Sequence, residues 1–208
     1  VNGTVNPHLD VTTERVRFRL LNASNARVYD FGFADDRTFQ QVASDAGLLE
    51  RPHETDRVQL SPGERAEIVV DVDPGERAVL RSFAPDLGVP LFERFAGGDD
   101  SFDVLELRAA DTLAPAPAVP DTLATIDRPD PDDAVRTREF RLGDSAINGD
   151  RMDMDRVDQV VTVDTTEIWE VRNTDGNPHS FHPHLVHFAV LDGDGEPPPP
   201  ELAGWKDT

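Results

Sequence analysis

A chain of 208 residues with 38% hydrophobic content can build one large domain or two small ones around a buried core. Its formal net charge of −21, from 41 acidic and 20 basic residues, repels nucleic acid and anionic membranes. No apolar run approaches the ~20 residues of a membrane-spanning helix, and zero cysteine excludes disulfides, thiolate zinc sites and cysteine nucleophiles. Nineteen of the 20 basic residues are arginine and Lys206 is the single lysine, a composition that fits a salt-adapted or high-GC source, or mutational bias alone. The start, Val1-Asn-Gly-Thr4, lacks the basic-then-apolar pattern of a signal peptide. A mature chain beginning downstream of one stays open.

Strand signals dominate the first half. Val16 to Leu20 and Arg57 to Leu60 alternate with period two, and Ala66 to Val72 is a β-branched run. That run follows Ser61-Pro-Gly-Glu64, whose Pro and Gly sit where a turn wants them. Ala78 to Leu80 and Phe102 to Leu107 continue the pattern. Short strands separated by turns predict an all-β sandwich or barrel. His8 and His53 fall in predicted loops, and Asp45 in a turn with a structural role.

Residues 111–135 break the pattern. Five prolines, several acids and no aromatic residue predict a linker lying extended along a surface. Strands are expected again at Arg138 to Leu142, Val157 to Val163, Glu167 to Val171 and Leu185 to Leu191. A faint repeat joins the halves: Val1-Asn-Gly precedes a strand ending at Asn22, and Ile147-Asn-Gly one ending at Asn173. The expected organisation is a domain over 1–110, a linker over 111–135 and a partial domain over 136–208.

The segment Asn177-Pro-His-Ser-Phe-His-Pro-His184 places three of the chain's six histidines within six positions. Pro178 and Pro183 argue against a helix through it, and Leu185 to Leu191 predicts a strand leaving it. On an extended backbone His182 and His184 share a face about 6.5 Å apart, whereas His179 points the other way. The spacing suggests two metal sites bridged by one segment. Imidazole without a carboxylate inside the run 177–184 suits copper or zinc over magnesium or calcium. The alternative is a surface loop, or packed histidines with backbone partners.

This segment and its frame (Ile147-Asn-Gly149, Glu167 to Asn173, Phe188 to Leu191 and Gly204-Trp-Lys-Asp-Thr208) resemble the third cupredoxin domain of multicopper oxidases. The spore-coat laccase and bilirubin oxidase branch is the most similar. Residues 1–107 resemble that branch's second domain at Val1 to Thr4, Arg17 to Ser24, Asp45 to Leu49 and Leu60 to Asp71. The resemblance implies two cupredoxin-like Greek-key β-sandwiches, the second incomplete. It implies a copper oxidoreductase coupling one-electron oxidation of a phenol, pigment or metal ion to reduction of dioxygen to water. His179 would then bind the type 1 copper, His182 the type 2 copper and His184 a type 3 copper. An extracytoplasmic location, periplasmic, secreted or cell-surface, follows from the same resemblance.

Departures from the family pattern carry equal weight. The two H-x-H motifs of a first domain and the H-C-H-x-x-x-H segment with the type 1 cysteine are not in this sequence. The chain is therefore expected to be a fragment of a longer oxidase, inactive alone and prone to self-association through an open sheet edge. A copper-free cupredoxin scaffold acting as an envelope interaction protein is the competing function, and adventitious binding of Cu²⁺ or Zn²⁺ through His182 and His184 a third. His187 is expected to be an ordinary strand residue and Trp169 a core residue. Met152 and Met154 fit edge packing better than copper handling. Trp205 and Asp207 are expected to be disordered, and the acidic run Asp127 to Asp133 to be a solvated linker.

Overall fold

The structure, a computed structural model, describes residues 1–88 and 97–208. Among these it is nearly all β, with only two single-turn 3-10 helices, Pro131–Asp133 and Pro200–Leu202. Nine strands precede residue 115: β1 (His8–Thr13), β2 (Arg15–Leu21), β3 (Tyr29–Phe33), β4 (Phe39–Ser44), β5 (Gly47–Thr55), β6 (Val58–Leu60), β7 (Arg65–Asp71), β8 (Arg77–Phe83) and β9 (Phe102–Ala114). They form a five-stranded sheet in the order β1-β9-β8-β3-β6 and a four-stranded sheet in the order β2-β7-β4-β5. Strands neighbouring in space are mostly not neighbours in sequence, because the chain crosses repeatedly between the sheets. Parallel pairing of β1 with β9 closes one edge.

The core lies between the two sheets. Phe31, Phe33, Leu80 and Leu107 from one face and Phe39, Ala66, Ile68 and Val70 from the other form one buried cluster. Alternation explains β7 and β8: Ala66, Ile68 and Val70 point inward, as do Ala78, Leu80 and Ser82. Fully burying each large apolar side chain stabilises by roughly 1.5–3 kcal/mol. The predicted strands at Val16, Arg57, Ala66, Ala78 and Phe102 are all present. The structure also places His8 at the start of β1 and His53 within β5, correcting the loops expected there. Those strands were hidden by polar residues, and Pro52 interrupts β5.

By compactness the chain divides into two units. One comprises residues 1–126 together with 180–208, the other residues 127–179. In the first unit β9 runs to Ala114, four residues into the expected linker. Beyond it, residues 115–126 carry no strand and stay within this unit. The Leu123 amide donates to the Glu50 carbonyl at 2.9 Å, and the Arg15 guanidinium donates to the Pro117 carbonyl.

The second unit carries a three-stranded sheet in the order β11-β10-β12, formed by β10 (Arg136–Gly143), β11 (Ala146–Ile147) and β12 (Glu167–Asn173). Asn148 at φ +55° and Gly149 at φ +86° make the tight turn that the Asn-Gly pair predicts. Arg138 and Glu167 form a bidentate pair at 2.5 and 2.8 Å, their side chains only 8% and 7% exposed. Trp169 packs against Phe140 with ring centroids 4.8 Å apart, tilted by 46°, and donates its indole N–H to Glu167; it is half-buried, not in a core as expected.

Two predicted strands are not formed. Val157 to Val163 has no ladder partner among the described residues, and Val157, Val160 and Val163 are 79%, 75% and 82% exposed. Leu185 to Leu191 keeps one isolated bridge, Phe188 to Lys206, and Leu185 turns into the left-handed region at φ +69°. β-branched composition favours a pleated surface only where another strand accepts its hydrogen bonds.

Candidate metal centre

The loop before His179 is built from side-chain caps in the second unit. At the end of β12, Asn173 donates its amide to the Asn177 carbonyl at 2.6 Å and accepts from the Asp175 amide at 3.1 Å. The Asp175 carboxylate accepts from the backbone amides of Asn177 and Asp144 at 2.8 and 2.9 Å. It then meets His179 Nε2 at 3.0 Å. The two backbone amides, followed by His179, hold the Asp175 carboxyl down at about 2. An ionised carboxylate only accepts, so His179 Nε2 carries the hydrogen. In the neutral ring Nδ1 then keeps its lone pair.

His182 and His184 lie in the first unit, on the return segment 180–208. Their rings approach to 5.1 Å between centroids, the pairing that the even spacing predicts. His182 Nδ1 lies 2.6 Å from the Asp207 carbonyl and 3.1 Å from Thr208 Oγ1. A backbone carbonyl has no proton to give, so Nδ1 is the donor, and in the neutral ring Nε2 keeps the lone pair. The two histidines thus hold opposite tautomers. His184 sits in an exposed turn with Leu185, and His187 is exposed and outside any strand, against the expectation for it.

Among the described residues no group of three or more His, Cys, Asp or Glu gathers around one point. The donor set nevertheless fits a metal that prefers imidazole. A ligating histidine ordinarily gives its other ring N–H to a carboxylate or a backbone carbonyl, which fixes tautomer and ring orientation. His179 and His182 each have that support.

Sequence reasoning missed the frame behind His182. The segment Gly204 to Thr208, in which Trp205 and Asp207 were expected to be disordered, is pinned to the β-sandwich of its own unit. The Trp205 carbonyl accepts from Ser44 Oγ and the Ala46 amide at 2.9 and 3.1 Å. Phe188 and Lys206 exchange two backbone hydrogen bonds at 2.8 and 2.9 Å. The Lys206 ammonium is buried between Asp45 at 2.8 Å and Glu64 at 2.6 Å. Arg65 grips the Asp207 carboxylate through both terminal nitrogens, at 2.6 and 2.7 Å. That grip is the main cause holding the Asp207 carboxyl at about 2, against burial, which pushes it up. The signal for this frame was compositional: one lysine among nineteen arginines marks a place that needs a compact ammonium.

Met152 and Met154 are 85% and 83% exposed, so neither packs at an edge. His53 faces Glu201 at 3.6 Å, and Asp45 has the structural role expected of it.

A sandwich of two sheets around one core, with a histidine-bearing return segment, defines a cupredoxin-like all-β protein. Residues 3–79 match one multicopper oxidase family model and residues 116–208 match a second. The chain belongs to the multicopper oxidase family. It is similar along its whole length to laccase-like structures. A bacterial laccase-like multicopper oxidase, CueO, from Ochrobactrum sp. superposes with a TM-score of 0.87 at 31% identity, covering 99% of this chain and 48% of that one. A laccase from Pediococcus acidilactici gives a TM-score of 0.84 at 34% identity, covering 99% of this chain and 43% of that one. Among curated proteins, the cell division protein FtsP of Dickeya dadantii is 40% identical over 100% of this chain, and that of Rahnella sp. is 38% identical over the same share. The chain spans 45% of the length of these two curated relatives.

Proposed function

We propose that this chain is part of a laccase-like, copper-dependent oxidoreductase that couples one-electron oxidation of a small-molecule reductant to reduction of dioxygen to water. The observation that carries the reading is the tautomer pair: His179 presents Nδ1 and His182 presents Nε2, each with its other nitrogen engaged by an acceptor. A loop that had lost its ligand role has no need to keep both lone pairs free. In this reading His179 is the type 1 copper ligand, His182 the type 2 ligand and His184 a type 3 ligand. Copper supplies the one-electron and dioxygen chemistry. The chain's own residues hold the imidazoles: Asp175 orients His179, and the Asp207 carbonyl orients His182. Residues 1–110 and 136–208 represent two cupredoxin domains joined by the segment 111–135. The reductant is phenolic, a pigment or a metal ion, and the location is extracytoplasmic. Among the described residues no helix is long and apolar enough to cross a membrane.

The test is the copper content of the full-length protein after reconstitution, by elemental analysis. Stoichiometric copper that falls in a His182→Ala variant supports the reading. Copper near zero in the unaltered protein overturns it.

A second reading has its own observation: relatives up to 40% identical over the whole chain are named for cell division. Under it the sandwiches are a copper-free interaction scaffold in the envelope. Zero copper together with a retained fold favours this scaffold.

A further inference from the structure

Three features outside the histidines compete for a role. The valines at 157, 160 and 163 are exposed, but nothing beside them indicates an occupant. The groove lined by Glu139, Arg141, Asn148 and Arg151 is shallow and contains no buried polar group aimed into it. The charged frame around Gly204 to Thr208 is different, because it ends on a ring nitrogen of a proposed ligand.

The chain of contacts can be followed atom by atom. Arg65 leaves the first position of β7. Its guanidinium donates to both oxygens of Asp207. Thr208 donates its hydroxyl hydrogen to Asp207 Oδ1 at 2.9 Å. With that hydrogen spent, the Thr208 oxygen can only accept from its other neighbour, which is His182 Nδ1 at 3.1 Å. The Asp207 carbonyl accepts from the same Nδ1 at 2.6 Å. Both acceptors thus demand the same tautomer.

A second arm fixes where these acceptors stand. Asp45, whose side chain is fully buried, accepts from the Arg65 amide at 2.7 Å. Its other oxygen faces the Asp207 and Thr208 amides at 3.4 and 3.3 Å and the Lys206 ammonium. The backbone of residues 206–208 is therefore held from the β-sandwich by one buried carboxylate, and its side chains by Arg65 and Glu64.

We infer that Arg65, Asp45 and Asp207 are positioning residues: they lock His182 in the Nδ1–H tautomer, so that its Nε2 lone pair is presented to a metal. The inference rests on the proposed role of His182 as a copper ligand. It adds that the ligand's competence depends on β7 and on the turn after β4, elements that carry no ligand themselves. Without the clamp, the ring is free to rotate and to place a hydrogen on either nitrogen, and an Nε2–H imidazole cannot bind a metal through Nε2. Outer partners of ligating histidines are typically worth 10–100-fold in metal affinity, and a loss in that range is expected here.

The experiment uses the full-length protein with Arg65→Gln and, in parallel, Asp207→Asn, so that one folding failure does not end the test. The first readout needs no metal: long-range ¹H–¹⁵N correlation of the His182 ring in the copper-free protein. The unaltered chain should show Nδ1 protonated and Nε2 unprotonated, and the variants a mixture of tautomers. The second readout is copper affinity by competition with a chelator, expected to fall about 10–100-fold in the variants. Unchanged tautomer and unchanged affinity in a folded variant overturn the clamp while leaving the copper reading intact. An unaltered protein that binds no copper, yet shows a fixed tautomer released by Arg65→Gln, overturns the copper reading and keeps the clamp as a structural lock.

Discussion

Lys206→Met is the sharpest test of how the return segment is held. The lysine side chain is 5% exposed and places its ammonium 2.8 Å from Asp45 and 2.6 Å from Glu64, whose side chains are 0% and 15% exposed. Methionine fills the same space without the charge. Removing one partner of a buried ionic group costs about 3–5 kcal/mol, because the remaining charges are left uncompensated. Two facts place this site near the lower bound. Asp45 still accepts from the Arg65 amide at 2.7 Å, and the Arg65 guanidinium stays 3.8 Å away. A loss of about 3 kcal/mol, or roughly 150-fold in the closing equilibrium, is expected. Native-state hydrogen exchange reads it locally. The Ala46 amide bonds to the Trp205 carbonyl, and the Phe188 amide to that of Lys206, so both report detachment of the segment. Their protection should fall by about two orders of magnitude, while the Ile68 amide in β7 changes far less. Protection at Ala46 and Phe188 within about fivefold of the unaltered chain, under ~1 kcal/mol, would refute the idea that the buried ammonium holds the segment.

Other outcomes follow from particular contacts. The Glu167 carboxyl is held at about 2, first by Arg138 and then by the Trp169 indole, against an ordinary value near 4.5. Because the folded value is depressed, its stabilisation is complete above about 4.5 and disappears as pH falls through about 2. Acid titration followed at the Trp169 indole N–H should therefore be steep in that window and flatter in Glu167→Gln; equal slopes count against the pair. Ile68→Ala removes a fully buried side chain from between the sheets and should cost about 2–5 kcal/mol by urea unfolding. A net charge of −21 implies self-repulsion in the folded state, so raising potassium chloride from about 0.1 M to about 1 M should raise the melting temperature; a falling temperature contradicts this. Exposed valines at 157, 160 and 163 suggest that the 208-residue chain self-associates, and a clean monomer in sedimentation would count against it.

Legibility in the sequence tracked one physical condition, whether a segment's own pattern carried the information. β2 alternates apolar and polar residues because one face meets the core, and β7 is a β-branched run after a turn signal, so both were readable. β4 was not, since Gln41 is buried beside Val42 and Ala43 and its pattern does not alternate. Val157 to Val163 and Leu185 to Leu191 failed in the opposite direction: they have strand composition, but among the described residues the first has no ladder partner and the second only the Phe188–Lys206 bridge, and composition contains no information about neighbours.

The histidine spacing by itself determined which residues could serve as ligands and that His182 and His184 pair, because parity along an extended backbone is a local property. What only the tertiary structure decided is which ring nitrogen donates. That depends on Asp175 for His179, four residues away, and for His182 on Asp207 and Thr208, held in turn by Arg65 and Asp45 from more than a hundred positions earlier in the chain. Tautomers are set by which acceptor lies within about 3 Å, and long-range proximity of that kind is created by folding, not by sequence spacing.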